Sequence, residues 1–165
     1  MKAQIKDIDV YFGCSAILGV KSWSTIIRYH QYQLHFDFDE SELSNNNILK
    51  PKIDQKLMVH VVEHVLEHIN AIKLKATALF TELHSQVYGP KSLSDDKGYF
   101  QPENIKLKKV SDIGGDGAGL VPHFEYDVHY CLESEIDILI DVYYTYRARF
   151  SNYNGLTLIG AWRTG

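Results

Sequence analysis

At 165 residues, 45% hydrophobic and 23% charged, the chain is long enough to bury a core without disulfide or metal staples, and its make-up is that of an ordinary soluble globular domain, residues 1–165 forming one unit. A formal net charge of −4 argues against the basic surface that general nucleic-acid binding requires. The absence of an apolar run of about 18 residues, of a hydrophobic signal core after Met1-Lys2, and of more than two cysteines leads to the expectation of no membrane span and a reduced, cytoplasmic setting.

In chain order, residues 5–12 suit a strand and residues 13–19 a turn or irregular segment. Trp23, Thr25, Ile27 and Tyr29, then Tyr32, Leu34, Phe36 and Phe38, alternate with polar positions, which predicts antiparallel strands with one apolar and one wet face. A Ser- and Asn-rich connector over 40–51 leads to Asp54, a suitable N-cap. From 56 to 88 the apolar residues Met58, Val62, Val65, Ile69, Ile72, Ala76, Leu79, Leu83 and Val87 recur every three or four positions, and Gly89-Pro90 ends the run. This predicts a long helix, with room for a kink near Asn70, laid across a sheet.

Residues 91–102 are expected to be a surface loop and 104–110 a strand. The glycines 114, 115, 117 and 119 lead into Leu120-Val121-Pro122 rather than a helix, so they predict a connector and not a phosphate cradle. Alternation over 124–130 and 136–150, the Asn154-Gly155 turn signal and residues 156–163 predict a closing meander. The expected pairing sets Val128 opposite Ile138, Tyr126 opposite Ile140, His129 opposite Asp137 and Glu125 opposite Asp141. The fold class is therefore α+β, an antiparallel meander packed against one long helix. Each cysteine, Cys14 and Cys131, is expected to be a small buried hydrophobe with no activating base.

The helix carries His60-Val-Val-Glu63-His64-Val-Leu-Glu67-His68, which twice reads H-x-x-E-H, the order in which inverzincin metallopeptidases place two zinc-binding histidines and a glutamate. A metal-dependent hydrolase using His60, Glu63 and His64, with His68 as a further candidate, is thus an alternative function. It needs a third ligand such as His35, His129 or Glu133. The apolar stripe points His60 and Glu67 to water instead, so the expectation is a solvated face, no bound metal or other cofactor, and a cost below about 0.5 kcal/mol for His60→Ala or His64→Ala.

The acids are unevenly distributed. Asp37, Asp39, Glu40 and Glu42 in one stretch, and Glu125, Asp127, Glu133, Glu135, Asp137 and Asp141 in another, make ten of the 21, and neither stretch contains Lys or Arg. Like charges facing one another across a sheet cost stability, so their retention points to a surface that attracts a basic partner. The expected partner-binding residues are Glu125, Asp127, Glu133, Glu135, Asp137 and Asp141, with Tyr143 as an aromatic anchor. The order of a strand pair, the long helix ending Ala78-Leu79-Phe80-Thr81-Glu82-Leu83, and the late segments Phe124-Glu125-Tyr126-Asp127 and Tyr143-Tyr144 resembles small bacterial immunity proteins of toxin–immunity systems. The resemblance implies a noncatalytic protein that binds and neutralises one cognate toxin, such as a basic nuclease. A third possibility is a small-molecule pocket between helix and sheet, lined by Trp23, Phe36, Tyr126, Tyr144 and Trp162.

Overall fold

The computed structural model describes residues 1–43, 53–95, 97–111, 122–134 and 145–164, and among these described residues nine strands and two helices follow one another. Strands β1 (Lys2–Ile5) and β2 (Ile8–Tyr11) form a small hairpin, turned at Lys6 and Asp7, which both take positive φ. The main sheet has seven strands in the order β3 (Gly13–Ile17), β4 (Val20–Tyr29), β5 (Tyr32–Asp39), β6 (Gly98–Ser111), β7 (His123–Ser134), β8 (Thr145–Ser151) and β9 (Thr157–Thr164). Helix α1 spans Gln55–Tyr88, and the single-turn helix α2 spans Ser92–Asp95.

The α+β class holds, but the sheet is not one antiparallel meander. Strands β5 and β6 run parallel, whereas every other neighbouring pair is antiparallel. The reason lies in the connection: two strands can be neighbours and parallel only if the chain travels back between them, and α1 is that return path. The sheet is therefore two antiparallel wings, β3–β5 and β6–β9, joined by one parallel pair.

Helix α1 is uninterrupted at Asn70. Its first turn is closed by Asp54, whose Oδ1 accepts from the Leu57 N–H at 2.8 Å. Its end is closed by Gly89, φ 96°, whose N–H donates to Ser85 O at 2.9 Å. The buried line runs through Met58, Val62, Val65, Ile69, Ile72 and Ala76 as the period predicts, then continues through Phe80 and His84. Leu79 and Val87, which the period had placed on that line, are exposed. A helix with 3.6 residues per turn drifts against a strict three-four spacing, and the large ring of Phe80 fills the gap over the sheet that Leu79 leaves. Phe80 lies 5.2 Å from Phe100, 4.9 Å from Tyr130 and 5.4 Å from Tyr146 between ring centroids. Burying each such ring stabilises the fold by about 2–3 kcal/mol.

Other expectations are corrected. Residues 98–102 are strand, not loop: β6 is fourteen residues long and includes Pro102. The proline is accommodated because the β6–β7 register shifts between Pro102 and Asn104. The register of β7 also differs from expectation. Val128 faces Ala148, Tyr126 faces Phe150, His129 faces Arg147 and Glu125 faces Ser151, so the strand beside it is Thr145–Ser151. Pairing by alternation alone leaves strand choice open, because segments 136–142 and 145–151 share the same period. Asn154 and Gly155 both take positive φ and turn the chain from β8 into β9. Cys14 is exposed rather than buried, because every residue of β3 is exposed at the sheet's edge. The glycine-rich stretch 114–119 lies outside the described residues, as do Glu135, Asp137, Asp141, Tyr143 and Tyr144.

Candidate binding face

Alternation along each strand gives the sheet two faces. The inner one, with Trp23, Phe36, Tyr126, Val128, Tyr130, Tyr146, Ala148 and Phe150, packs under α1. The outer one carries no helix among the described residues. Reading across the registers, one outer row runs Ser24, Asp37, Lys106, Asp127, Arg149 and Gly160. The adjacent row runs Ile26, His35, Asn104, His129, Arg147 and Trp162.

The acids read from the sequence divide sharply on this face. Asp127 does not present a free carboxylate. Its side chain is 0% exposed, its Oδ1 accepts from Arg149 Nε at 2.6 Å and its Oδ2 from Arg149 Nη2 at 3.0 Å, and Arg147 Nη1 lies 3.7 Å away. A buried carboxylate is tolerable only with such a bidentate partner, and the hydrogen bond to Asp127 in turn raises the Arg149 pKa. Glu125 is largely buried and pairs with Lys109 Nζ at 3.3 Å. On the β5 side, Asn104 Nδ2 donates to Asp37 Oδ2 at 3.1 Å, and Lys108 pairs with Glu42. Among the described acids of the face expected from the sequence, Asp37, Glu42, Glu125 and Asp127 thus sit in a ladder of both signs. The counter-charges come from Lys106, Lys108, Lys109, Arg147 and Arg149, which lie outside or at the end of the acidic stretches but are brought beside them by strand pairing.

Glu133 is different. It is exposed at the end of β7, accepts from Tyr99 Oη at 2.6 Å and has no cationic partner among the described residues. Next to it lies a second uncompensated carboxylate, Glu103, which the sequence reading passed over. The signal was present: a Pro-Glu pair inside a β-period run marks a bulge that re-aims a side chain. These two acids share a depression with Gln31, Gln33, Tyr99, Gln101 and Cys131. Burial and the charges of Glu133 and Glu103 push the Cys131 thiol up to about 11, which leaves it protonated and unsuited to nucleophilic attack.

At the other end of the face, Trp162 lies flat over Gly160. A Cβ on that glycine would meet the indole at 3.0 Å. The guanidinium of Arg147 sits 5.2 Å and that of Arg149 5.8 Å from the indole ring. Trp162 is therefore an outer-face residue and not part of a pocket wall between helix and sheet.

The helix histidines do not form a fully solvated row. His64 is half-buried, with its ring 5.5 Å from Phe124 and 5.7 Å from Tyr126, and burial together with neighbouring His68 lowers its pKa to about 4. The sheet is wide enough to reach the flank of the apolar stripe, which a helix-only view treats as the border with water. The Nε2 atoms of His60 and His64 are both buried without a hydrogen-bond partner. His68 turns its Nδ1–H back to His64 O at 2.9 Å, a bond within its own helix. His60 Nδ1 lies 3.8 Å from Glu63, and the His64 and His68 rings lie 4.5 Å apart between centroids. Among the described residues no three His, Cys, Asp or Glu side chains gather so that they could hold a metal ion. The candidate third ligands His35, His129 and Glu133 all sit on the outer sheet face, on the far side of the sheet from α1.

No helix among the described residues is long and apolar enough to cross a membrane. No protein-family model, curated protein or solved structure matches the chain.

Proposed function

We propose that the chain is a noncatalytic binding protein of the immunity type, which neutralises a cognate toxin by seating it on the outer face of the sheet. One observation carries the reading. The helix covers only the inner face, and the outer face is a pre-ordered polar surface in which Glu103 and Glu133 have no counter-ion among the described residues while neighbouring acids are paired. A rigid, ion-paired surround loses little conformational entropy on docking, and a small uncompensated acidic spot gives a basic partner its orientation. The exposed Ile26 and Trp162, with Arg147 and Arg149 against the indole, add the aromatic and Arg contacts in which interface energy concentrates.

The test is protection in cells. The chain is co-expressed with the product of the reading frame adjacent to its own, and growth is measured. Protection, with a stable complex on gel filtration, is expected for the natural chain. It is expected to be lost in Ile26→Asp/Glu133→Lys, which alters only the outer face, and kept in Leu74→Asp, on the exposed side of the helix. Protection that survives the outer-face pair, or fails equally with Leu74→Asp, removes the docking assignment.

A further inference from the structure

The seven-stranded sheet ends in two edge strands, β3 and β9, and the two are unlike. Edge strand β9 is blunted in the ways that keep sheets apart. Ile159 is an extra residue where the register to β8 shifts, and Arg163 Nη2 donates to Tyr88 Oη at 2.7 Å, which ties the strand to the end of α1. Edge strand β3 has neither device. It pairs with β4 without a register shift, and from Phe12 to Val20 the chain carries no charge and no proline. All five of its residues are exposed, and among the described residues no strand lies beyond it, so one row of its backbone N–H and C=O groups is open to a neighbour.

Two details of this edge serve nothing within the chain. Gly13 does not take a positive φ, and a Cβ there would meet nothing closer than Ser24 O at 3.8 Å, so neither turn geometry nor crowding calls for a glycine. A glycine inside a strand otherwise marks a place where another backbone or a ligand approaches closely. At the far end of the strand Ile17 is 74% exposed and Leu18 99% exposed, and Leu18 holds φ 52° in a turn where asparagine or glycine would sit with less strain. A polar turn would keep this tip soluble, whereas an aliphatic pair beside an open backbone row suits contact with another strand.

We infer that β3 is a self-association edge, at which two copies of the chain pair their β3 strands antiparallel about a two-fold axis through Ser15 and join their sheets into one. In that register Ser15 faces Ser15, Cys14 faces Ala16, and Ile17 of each copy faces Gly13 of the other, so the largest side chain of the strand lies over the residue that leaves room for it. The charge pattern selects a second copy as the occupant. A two-fold axis sets a strand against its own sequence, so any charge near the axis meets its own like, and a charged partner strand would call for the opposite sign on β3; this strand carries neither sign. The pairing uses the sheet edge alone and leaves the outer face of both copies open, so it stands independently of the docking reading.

The experiment is sedimentation equilibrium of the full-length chain under reducing conditions, from low to high micromolar concentration. A reversible dimer is expected for the natural chain. Ser15→Lys and Ser15→Glu each set like charges against one another on the axis, and each is expected to raise the dissociation constant at least about fivefold, whereas an equimolar mixture of the two is expected to return it to within about twofold of the natural value. Ser15 is exposed, so both variants are expected to fold as the natural chain does; Ile17→Lys, at another exposed position of the strand, serves with the same expected weakening if they do not. Amide hydrogen exchange is expected to show protection within Gly13–Ile17 that is gained at high concentration and lost on dilution. A chain that stays monomeric throughout overturns the inference. So does a dimer that the charged variants leave unchanged, that the mixture of Ser15 variants fails to restore, or that forms without new protection in β3.

Discussion

Single residues in this protein are governed by what faces them across the sheet. His64 is the clearest case. Its pKa in the fold, about 4, lies below the ordinary 6.5, so the folded state favours the neutral ring. The unfolded chain takes up a proton first as pH falls, and stability that is complete above pH 6.5 is lost progressively toward pH 4. The loss is at most about 3 kcal/mol, and burial lowers His129 in the same direction. Urea unfolding at pH 7 and pH 5 is expected to show this fall, and His64→Phe is expected to flatten it. At pH 7, His64→Ala is expected to cost about 1–2 kcal/mol rather than a surface value, since it empties space against Phe124 and Tyr126. A second residue-scale prediction concerns Asp127. Arg149→Met removes both charge-assisted bonds from a carboxylate with no exposure, and is expected to destabilise by about 3 kcal/mol in urea unfolding at pH 7; an effect under about 1 kcal/mol would mean that Arg147 alone suffices.

At the scale of elements, β9 is shaped by a glycine. Gly160 leaves room for the Trp162 indole to lie across β8, and Arg147 and Arg149 close over it. Gly160→Ala is expected to displace the ring and cost about 1 kcal/mol, and the same change in a Trp162→Ala background is expected to cost close to nothing. Chemical denaturation of the four variants measures the coupling. Equal costs in the two backgrounds would show that the glycine serves the backbone and not the indole. Helix α1 was legible in advance, with its N-cap Asp54 and its stop at Gly89, because caps and period are local properties. Its partner strands were legible as strands for the same reason. What sits opposite Phe80 or His64 was not, since it depends on where β7 and β8 run.

For the whole molecule, stability is expected to be graded from the middle of the sheet outward. β6 and β7 lie at the centre, laddered on both sides and covered by α1, whereas β3 forms an outer edge with all five residues exposed. Hydrogen exchange of the dilute, monomeric chain is therefore expected to be slowest for Ile105, Leu107, Tyr126 and Val128, and to approach unprotected rates in β3. Equal protection of β3 that persists on dilution would contradict this grading, whereas protection seen only at high concentration belongs to the pairing of its free edge with a second copy.

Local chemistry was enough to determine the α+β class, the capped helix, the apolar sides of β4, β5, β7 and β8 and the Asn154-Gly155 turn, because each follows from neighbours within a few residues. Tertiary structure alone decided three things. It made β5 and β6 parallel, because that depends on α1 carrying the chain back rather than on any property of the strands themselves. It converted an acidic stretch into a paired ladder, because Arg149 and Lys109 reach Asp127 and Glu125 only across strands. It also singled out Glu103 and Glu133, since whether a carboxylate keeps its charge to itself is settled by which cations the fold brings within a few ångströms, and charge counts along the chain hold no such distances.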